Sequence, residues 1–266
     1  MLEKMISIDR YAYNSKLRYI EPLQKLIFSL LTLAVGLWAD NIVISIIIFS
    51  IMIYATVYYG GIPIKYYFKL LLIPMTFLFI SVITLVINIS HNPENFLCYF
   101  RIGSSFIGCS KTGALKVLLL FFKVMASVSC LYFLSLSTPI IDFLAALKKL
   151  KVPKLIIEIT GLIYRFIFVI METAENMFRA QNSRLGYIDL STAYRSLGTL
   201  ISNLFIRSYK RANELYIALE SRGYDGEINV LQQEYKRGKK LYFYTALINI
   251  LLLIIALITK GRWPSL

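Results

Sequence analysis

Four apolar runs, each about as long as a bilayer-crossing helix, constrain this sequence more than any other feature. They cover residues 23–39, 42–59, 70–89 and 117–136. A helix needs about 20 mostly apolar residues to cross the hydrocarbon core, and a fifth run satisfies this at residues 241–258. The chain is 58% hydrophobic, whereas soluble domains contain about 45–50% apolar residues. The sequence therefore predicts an all-α polytopic membrane protein with about five transmembrane helices.

Basic residues in the connecting segments predict the orientation, because loops rich in Lys and Arg stay in the cytoplasm. On this rule the N-terminal segment and the loop at residues 60–69 are cytoplasmic, and the loop at residues 90–112 lies outside. Residues 137–240 hold sixteen Lys and Arg against ten Asp and Glu, which places them in the cytoplasm. With five spans, the C-terminus lies outside.

The chain divides on this basis into residues 1–136 with four spans, a cytoplasmic region at 137–240, and a last span with a short tail at 241–266. Residues 155–171 are apolar but short, and they contain Glu158 and Arg165. Each charge costs roughly 2.5–3.5 kcal/mol at the centre of a membrane helix, so we expect this segment at the membrane surface. A sixth span, which would reverse the C-terminal orientation, stays open.

The cytoplasmic region has the three- and four-residue apolar periodicity of amphipathic helices, with ends expected at Val152-Pro153, Gly186 and Gly223. Two of these ends share an arginine closely followed by a glycine, which favours a cation on the last helical turn and a residue with positive φ to close it. Taken singly, each motif is a helix end with a solvated arginine. Together they predict a docking surface for carboxylates of a partner protein. The candidate residues are Ser183, Arg184, Leu185, Gly186, Ser221, Arg222 and Gly223.

Charged residues at membrane depth are a second group of candidates for partner contact. Lys123 lies inside the fourth predicted span, where a role in a pathway or interface and a local structural pairing are equally open. Glu158 and Arg165 are seven residues apart and share one helix face, so they are candidates for pairing.

Catalytic and metal-binding patterns are missing from the sequence. There is no phosphate-binding loop of the G-x-x-x-x-G-K-[ST] type, so we expect any ATP hydrolysis to occur in another subunit. The single histidine, His91, and three cysteines without C-x-x-C spacing do not form a metal-ligand set. Cys98, Cys109 and Cys130 are interpreted as packing residues, with two free thiols favoured over a bridge between Cys98 and Cys109. The net charge of +14 lies beside apolar runs, which favours a membrane face over nucleic acid.

Several segments resemble the transmembrane (T) component of energy-coupling factor (ECF) transporters, in particular its cobalt-type CbiQ branch. The likeness covers nearly the whole chain and is carried by Ile8-Asp9-Arg10-Tyr11-Ala12-Tyr13, Ile20-Glu21-Pro22-Leu23-Gln24-Lys25-Leu26, residues 113–138, Arg165-Phe166-Ile167, Glu172 and Ala180-Gln181. The family carries two Ala-Arg-Gly signatures at the ends of cytoplasmic coupling helices. Here serine replaces alanine in both motifs, and Leu185 takes the place of the first glycine.

The resemblance implies a non-catalytic subunit that binds two ECF-type ATPases (CbiO-like), which hold ATP and Mg. It also implies a separate substrate-binding membrane subunit, CbiM-like and accompanied by a CbiN-like protein, for cobalt or nickel uptake. This chain itself would hold no cofactor or metal and would lie in the bacterial inner membrane with its N-terminus in the cytoplasm. The alternatives are a T component of a vitamin-type or shared transporter, a self-contained secondary transporter, and a scaffold that recruits acidic lipids or proteins.

Overall fold

The structure is a computed structural model that describes residues 2–90, 96–102, 105–224, 235 and 239–260, with side chains described at 8–82, 117–224, 235 and 242–258. The described elements are mostly helices. In chain order they are α1 Leu2–Asn14, α2 Pro22–Ala39, α3 Ile42–Tyr54 with a π-helical turn at Ala55–Tyr59, α4 Ile64–Val86, β1 Ile87–Ser90, β2 Phe96–Ile102, β3 Ser105–Ser110, α5 Lys111–Ser137, α6 Ile140–Lys149, α7 Lys154–Ser183, α8 Leu190–Glu220 and α9 Lys239–Lys260.

Four of the described helices are long and apolar enough to cross a membrane: Pro22–Ala39, Ile42–Tyr59, Ile64–Val82 and Val117–Ser137. The fifth predicted run lies in α9, where a shorter apolar stretch covers Tyr242–Ile258. The prediction of a polytopic helical membrane protein is thereby confirmed. Residues 155–171 form the first part of α7 and are not among these candidate spans.

The turn between α2 and α3 is as tight as predicted, because two polar residues reverse the chain. Asp40 adopts a left-handed conformation with φ 41°, which ends α2. Asn41 then caps α3, since its side-chain oxygen accepts a hydrogen bond from the Val43 N–H at 2.9 Å.

The third span differs in position from the prediction of residues 70–89. Its helix begins six residues earlier, at Ile64, because Pro63 accepts the first helical hydrogen bonds from the N–H groups of Tyr66 and Tyr67. It ends at Val86, where the alternating Ile87-Asn88-Ile89 sequence changes to a strand. Apolar content alone located the span but could not locate either end.

A small antiparallel sheet follows the third span, where the sequence predicted only an outer loop. Its strand order is β1-β3-β2, with Ile89 opposite Ile107 and Cys98 opposite Cys109. His91 lies outside the described residues, and the question of a bridge between Cys98 and Cys109 lies outside the described side chains. The sheet is an addition to the helical architecture that composition predicted.

The described residues form two compact units. One comprises Glu3–Ala146 and Glu234–Leu266, and the other Leu147–Gln233. The first unit contains two apolar clusters: one joins α2, α3, α5 and α9 around Met52 and Cys130, and the other joins α4 and α5 around Tyr67 and Leu136. Cys130 is a buried free thiol, in agreement with its interpretation as a packing residue.

The second unit contains the two longest described helices, α7 and α8. Proline at residue 153 separates α6 from α7, and Asp189 caps α8 by accepting a hydrogen bond from the Thr192 N–H at 3.2 Å. The helix ends predicted near Pro153, Gly186 and Gly223 are confirmed to within a few residues. Neither α7 nor α8 contains a buried residue.

Candidate coupling site

The first arginine motif closes α7 through a Schellman-type hydrogen-bond pattern. The Gly186 N–H donates to the carbonyl of Gln181 at 2.9 Å, and the Leu185 N–H donates to the carbonyl of Asn182 at 3.0 Å. Leu185 itself takes the left-handed conformation, with φ 59°. The expectation that the glycine of this motif supplies the positive φ is therefore wrong, because the hydrogen-bond pattern places that requirement one residue earlier.

Gly186 has a different role, which is to let the chain pass close to other atoms. A Cβ at this position would lie 2.8 Å from the carbonyl oxygen of Gln181 and 2.8 Å from Oγ of Ser196. Both distances are shorter than real Cβ contacts, so only glycine fits without movement of the connection between α7 and α8.

The second motif closes α8 with the same pattern. The Tyr224 N–H donates to the carbonyl of Leu219 at 3.0 Å, and the Gly223 N–H donates to the carbonyl of Glu220 at 3.0 Å. Gly223 is left-handed, with φ 71°, and a Cβ there would meet no atom within 4 Å. Its backbone conformation therefore accounts for the glycine, and close packing does not.

The backbones of the two helix ends are equivalent around each arginine. Arg184 directly precedes the left-handed Leu185, and Arg222 directly precedes the left-handed Gly223. The serine before each arginine bonds back to its own helix: Ser183 Oγ donates to the carbonyl of Arg179 at 3.0 Å, and Ser221 Oγ donates to that of Ala218 at 3.1 Å. Both arginine side chains thus leave the same point of the same backbone motif.

A hydrogen-bonded cluster that sequence reasoning missed fixes the connection between α7 and α8. Gln181 Nε2 donates to the carbonyl of Ser196 at 3.0 Å, and the Tyr187 hydroxyl donates to Gln181 Oε1 at 2.8 Å. The ring of Tyr187 also packs on Phe178, with centroids 4.7 Å apart. The only sequence signal was Gly186-Tyr187, a glycine followed by an aromatic residue after a helix end. This cluster holds the backbone that carries Arg184.

Both arginines are exposed, and among the described residues neither has an ion-pair or hydrogen-bond partner for its guanidinium. Large apolar side chains surround them in sequence and are exposed as well. Ile188 is 73% exposed and Tyr194 75% near the first motif, and Tyr216 is 64% exposed near the second. An arginine among exposed aromatic and aliphatic residues is typical of a protein-binding surface.

The other charged candidates, Lys123, Glu158 and Arg165, do not belong to one unit: Lys123 lies in the first, and Glu158 and Arg165 lie in the second. Lys123 forms an ion pair with Asp40, in the turn between the first two spans. This contact favours the structural pairing over a role in a pathway. Glu158 accepts a hydrogen bond from the Tyr224 hydroxyl at 3.5 Å, and Arg165 is exposed on the same helix. The pairing of Glu158 with Arg165 stays a prediction.

A buried polar group in the first unit also escaped sequence analysis. Lys25, only 3% exposed, donates from Nζ to the carbonyl of Ser137 at 2.7 Å and to that of Leu17 at 3.2 Å. Asp142, also 3% exposed, attracts this cation electrostatically and accepts a hydrogen bond from the Tyr235 hydroxyl at 2.8 Å. Burial and the bond to Asp142 raise the pKa of Tyr235 above its usual value. The group joins the start of α2, the end of α5 and the chain beyond the second motif.

The described residues contain no group of three or more His, Cys, Asp or Glu side chains placed to hold a metal ion.

Comparison with known proteins gives matches over most of the chain. The family model for the cobalt transport protein CbiQ matches residues 13–235, a range that includes both arginine motifs. An uncharacterized protein of Methanocaldococcus jannaschii is 32% identical over 255 residues, which are 95% of this chain and 93% of that protein.

Two relatives carry descriptive names. The cobalt transport protein CbiQ of Salmonella typhimurium is 26% identical over 234 residues, covering 85% of this chain and 100% of that protein. The putative fused cobalt transport protein CbiMQ of Methanocorpusculum labreanum is 30% identical over 227 residues, covering 85% of this chain and 38% of the fusion. These names describe transport proteins, which agrees at a coarse level with the expectation of a non-enzyme.

Proposed function

Since the chain belongs to the CbiQ family of cobalt transport proteins, the transmembrane components of ECF transporters, we propose that it is the coupling subunit of an importer driven by two separate ATPases. The ATPases, CbiO-like subunits on the cytoplasmic side, hold ATP and Mg. A CbiM-like membrane subunit, accompanied by a CbiN-like protein, binds cobalt or nickel. This chain holds no cofactor and transmits the movement between them.

The equivalence of the two helix ends carries the proposal. Arg184 and Arg222 extend from identical backbone motifs, and both guanidinium groups are exposed. A guanidinium forms two parallel, charge-assisted hydrogen bonds with a carboxylate, which makes it suited to a groove with an acidic residue. Two equivalent ends provide one such contact for each of two ATPase subunits.

The length and rigidity of the helices support the transmission step. Helices α7 and α8 have 30 and 31 residues, and each ends at one arginine motif. Because a helix moves as a rigid body, a displacement of its end is carried along its whole length. The name of the fused relative, CbiMQ, supports a CbiM-like protein as the membrane partner of this chain.

The direct test is co-purification of the full-length chain in detergent with candidate CbiO-like ATPases. We expect Arg184→Glu/Arg222→Glu to weaken binding at least about 30-fold, because reversal leaves partner carboxylates facing like charges. Arg207→Glu/Arg211→Glu is the matched control, since it makes the same charge change at exposed positions in the middle of α8, away from both motifs. Equal loss in both variants, or no loss in the first, would contradict the proposal.

A further inference from the structure

A groove of about 450 Å³ lies in the first unit, between α4 and α5 with one residue from α3. Its walls are almost entirely apolar, and they include two exposed residues of α4, Phe68 and Leu72, which are 51% and 60% exposed. The other side is formed mainly by α5, through Phe121, Phe122 and Met125. Both helices are membrane-span candidates, so we expect the groove to lie within the bilayer.

Two lysines, Lys65 and Lys69, also line this groove. They are one helical turn apart on α4, and both are exposed. Within the described part of the chain, neither ammonium group has an ion-pair or hydrogen-bond partner. Two like charges at this spacing repel, and cations in the first turns of a helix oppose its dipole, so a bound anion would relieve a small unfavourable interaction.

The lysines and the apolar wall follow one another along α4. Lys65 lies next to the start of α4 at Ile64, where the third span begins, and the apolar lining continues to Met75. Ten residues of helix cover about 15 Å, so the groove extends from the headgroup region into the hydrocarbon core. Lysine side chains near the end of a span reach the headgroup region.

We propose that this groove is a binding site for one anionic phospholipid, with its phosphate between Lys65 and Lys69 and an acyl chain along Phe68, Leu72 and Phe121. The charge of the lysines matches a phosphate, and the apolar wall matches an acyl chain. A soluble phosphate compound would leave the wall unused, and an apolar helix of a partner would leave both lysines unpaired. The inference stands on the groove alone and does not depend on the proposed coupling function.

The test is native mass spectrometry of the purified full-length chain equilibrated with equal amounts of phosphatidylglycerol and phosphatidylcholine. We expect a preference of roughly 30-fold for phosphatidylglycerol, because each lysine near an anionic headgroup contributes about a five-fold preference. Lys65→Gln/Lys69→Gln should reduce this preference to near unity. Lys148→Gln/Lys210→Gln, which removes the same charge at exposed positions outside the groove, should keep it.

A second variant tests the acyl-chain part of the site. Leu72 is largely exposed, so Leu72→Trp fills the groove without disturbing the core, and it should reduce retention of both lipids. The proposal fails if the wild-type chain retains both lipids equally, or if the variant at Lys65 and Lys69 keeps the preference. It also fails if soluble glycerol 1-phosphate displaces the bound lipid as effectively as added phosphatidylglycerol does. Exclusion of the lipid from the groove by a bound partner membrane protein would contradict it too.

Discussion

Leu185 and Gly223 hold the same left-handed position at the ends of α7 and α8, although only one of them is a glycine. A residue with a Cβ pays roughly 1–2 kcal/mol for this conformation. The hydrogen bonds that close α7, together with the contact of Gln181 with Ser196, offset that cost at the first motif. The two arginines therefore extend from backbones of the same conformation, but that conformation is less favourable for Leu185 than for Gly223.

Substitution of the left-handed residue should change the stability of the two helix ends in opposite directions. Leu185→Gly is expected to stabilise the end of α7 by about 1 kcal/mol, and Gly223→Ala to destabilise the end of α8 by a similar amount. Hydrogen exchange of the amides in the last turn of each helix measures both effects. Slower exchange in Gly223→Ala than in the wild-type chain would contradict the assignment of a left-handed closing residue.

The ion pair of Lys123 with Asp40 predicts a structural role for this intramembrane lysine. Lys123→Asp is expected to lower the thermal stability of the purified chain, because two carboxylates would then face each other. The exchange variant Lys123→Asp/Asp40→Lys should recover most of the loss. If uptake by the assembled transporter stays absent in this exchange variant although stability recovers, Lys123 acts in a pathway or interface and the structural assignment is wrong.

At the scale of elements, the connection between α7 and α8 determines where the first arginine is held. Its geometry depends on contacts across the helix pair, through Gln181, Tyr187 and Ser196. The two glycines near this connection differ sharply: Gly186 has no room for a Cβ, whereas a Cβ at Gly198, inside α8, would meet no atom within 4 Å.

Alanine at these two glycines gives a matched pair of tests. Gly186→Ala should displace the connection and lower stability by about 1–3 kcal/mol, because its Cβ overlaps a backbone oxygen. Gly198→Ala should leave stability unchanged or raise it by about 0.5–1 kcal/mol, because alanine favours the helix. Thermal unfolding and ATPase binding of both variants measure these effects. Equal stability of the two variants would contradict the packing described for Gly186.

At the scale of the whole molecule, the sequence predicted the helical membrane class and the helix ends in residues 137–240 because both depend on local signals. The apolar runs, Pro153 and Gly223 are such signals. The buried bond between Lys25 and the carbonyl of Ser137 joins residues 112 positions apart, and no local pattern reveals it. The same holds for the position of Gly186 against Ser196, and for the sheet, whose strands pair across a loop.

The buried group around Lys25 and Asp142 predicts strong coupling between distant parts of the first unit. Lys25→Met should lower the free energy of unfolding by about 1–3 kcal/mol, because it removes the hydrogen bonds to the carbonyls of Leu17 and Ser137 and the cation that attracts the carboxylate of Asp142. Asp142→Asn in the same chain should recover part of that loss, since the amide still accepts the bond from Tyr235. Thermal unfolding of the two single variants and the double variant forms a cycle, and strict additivity would show that the two residues do not interact.

ATP-driven uptake of radioactive cobalt into proteoliposomes that contain the chain, the proposed ATPases and the proposed substrate-binding subunit tests the central claim most directly. The account predicts that Arg222→Glu abolishes uptake while the variant chain still inserts into the membrane, because the contact with the ATPase is lost. Arg211→Glu, an equal charge change at another exposed position of α8, should transport like the wild-type chain. Normal uptake by Arg222→Glu would contradict the assignment of the arginine helix ends as the coupling surface.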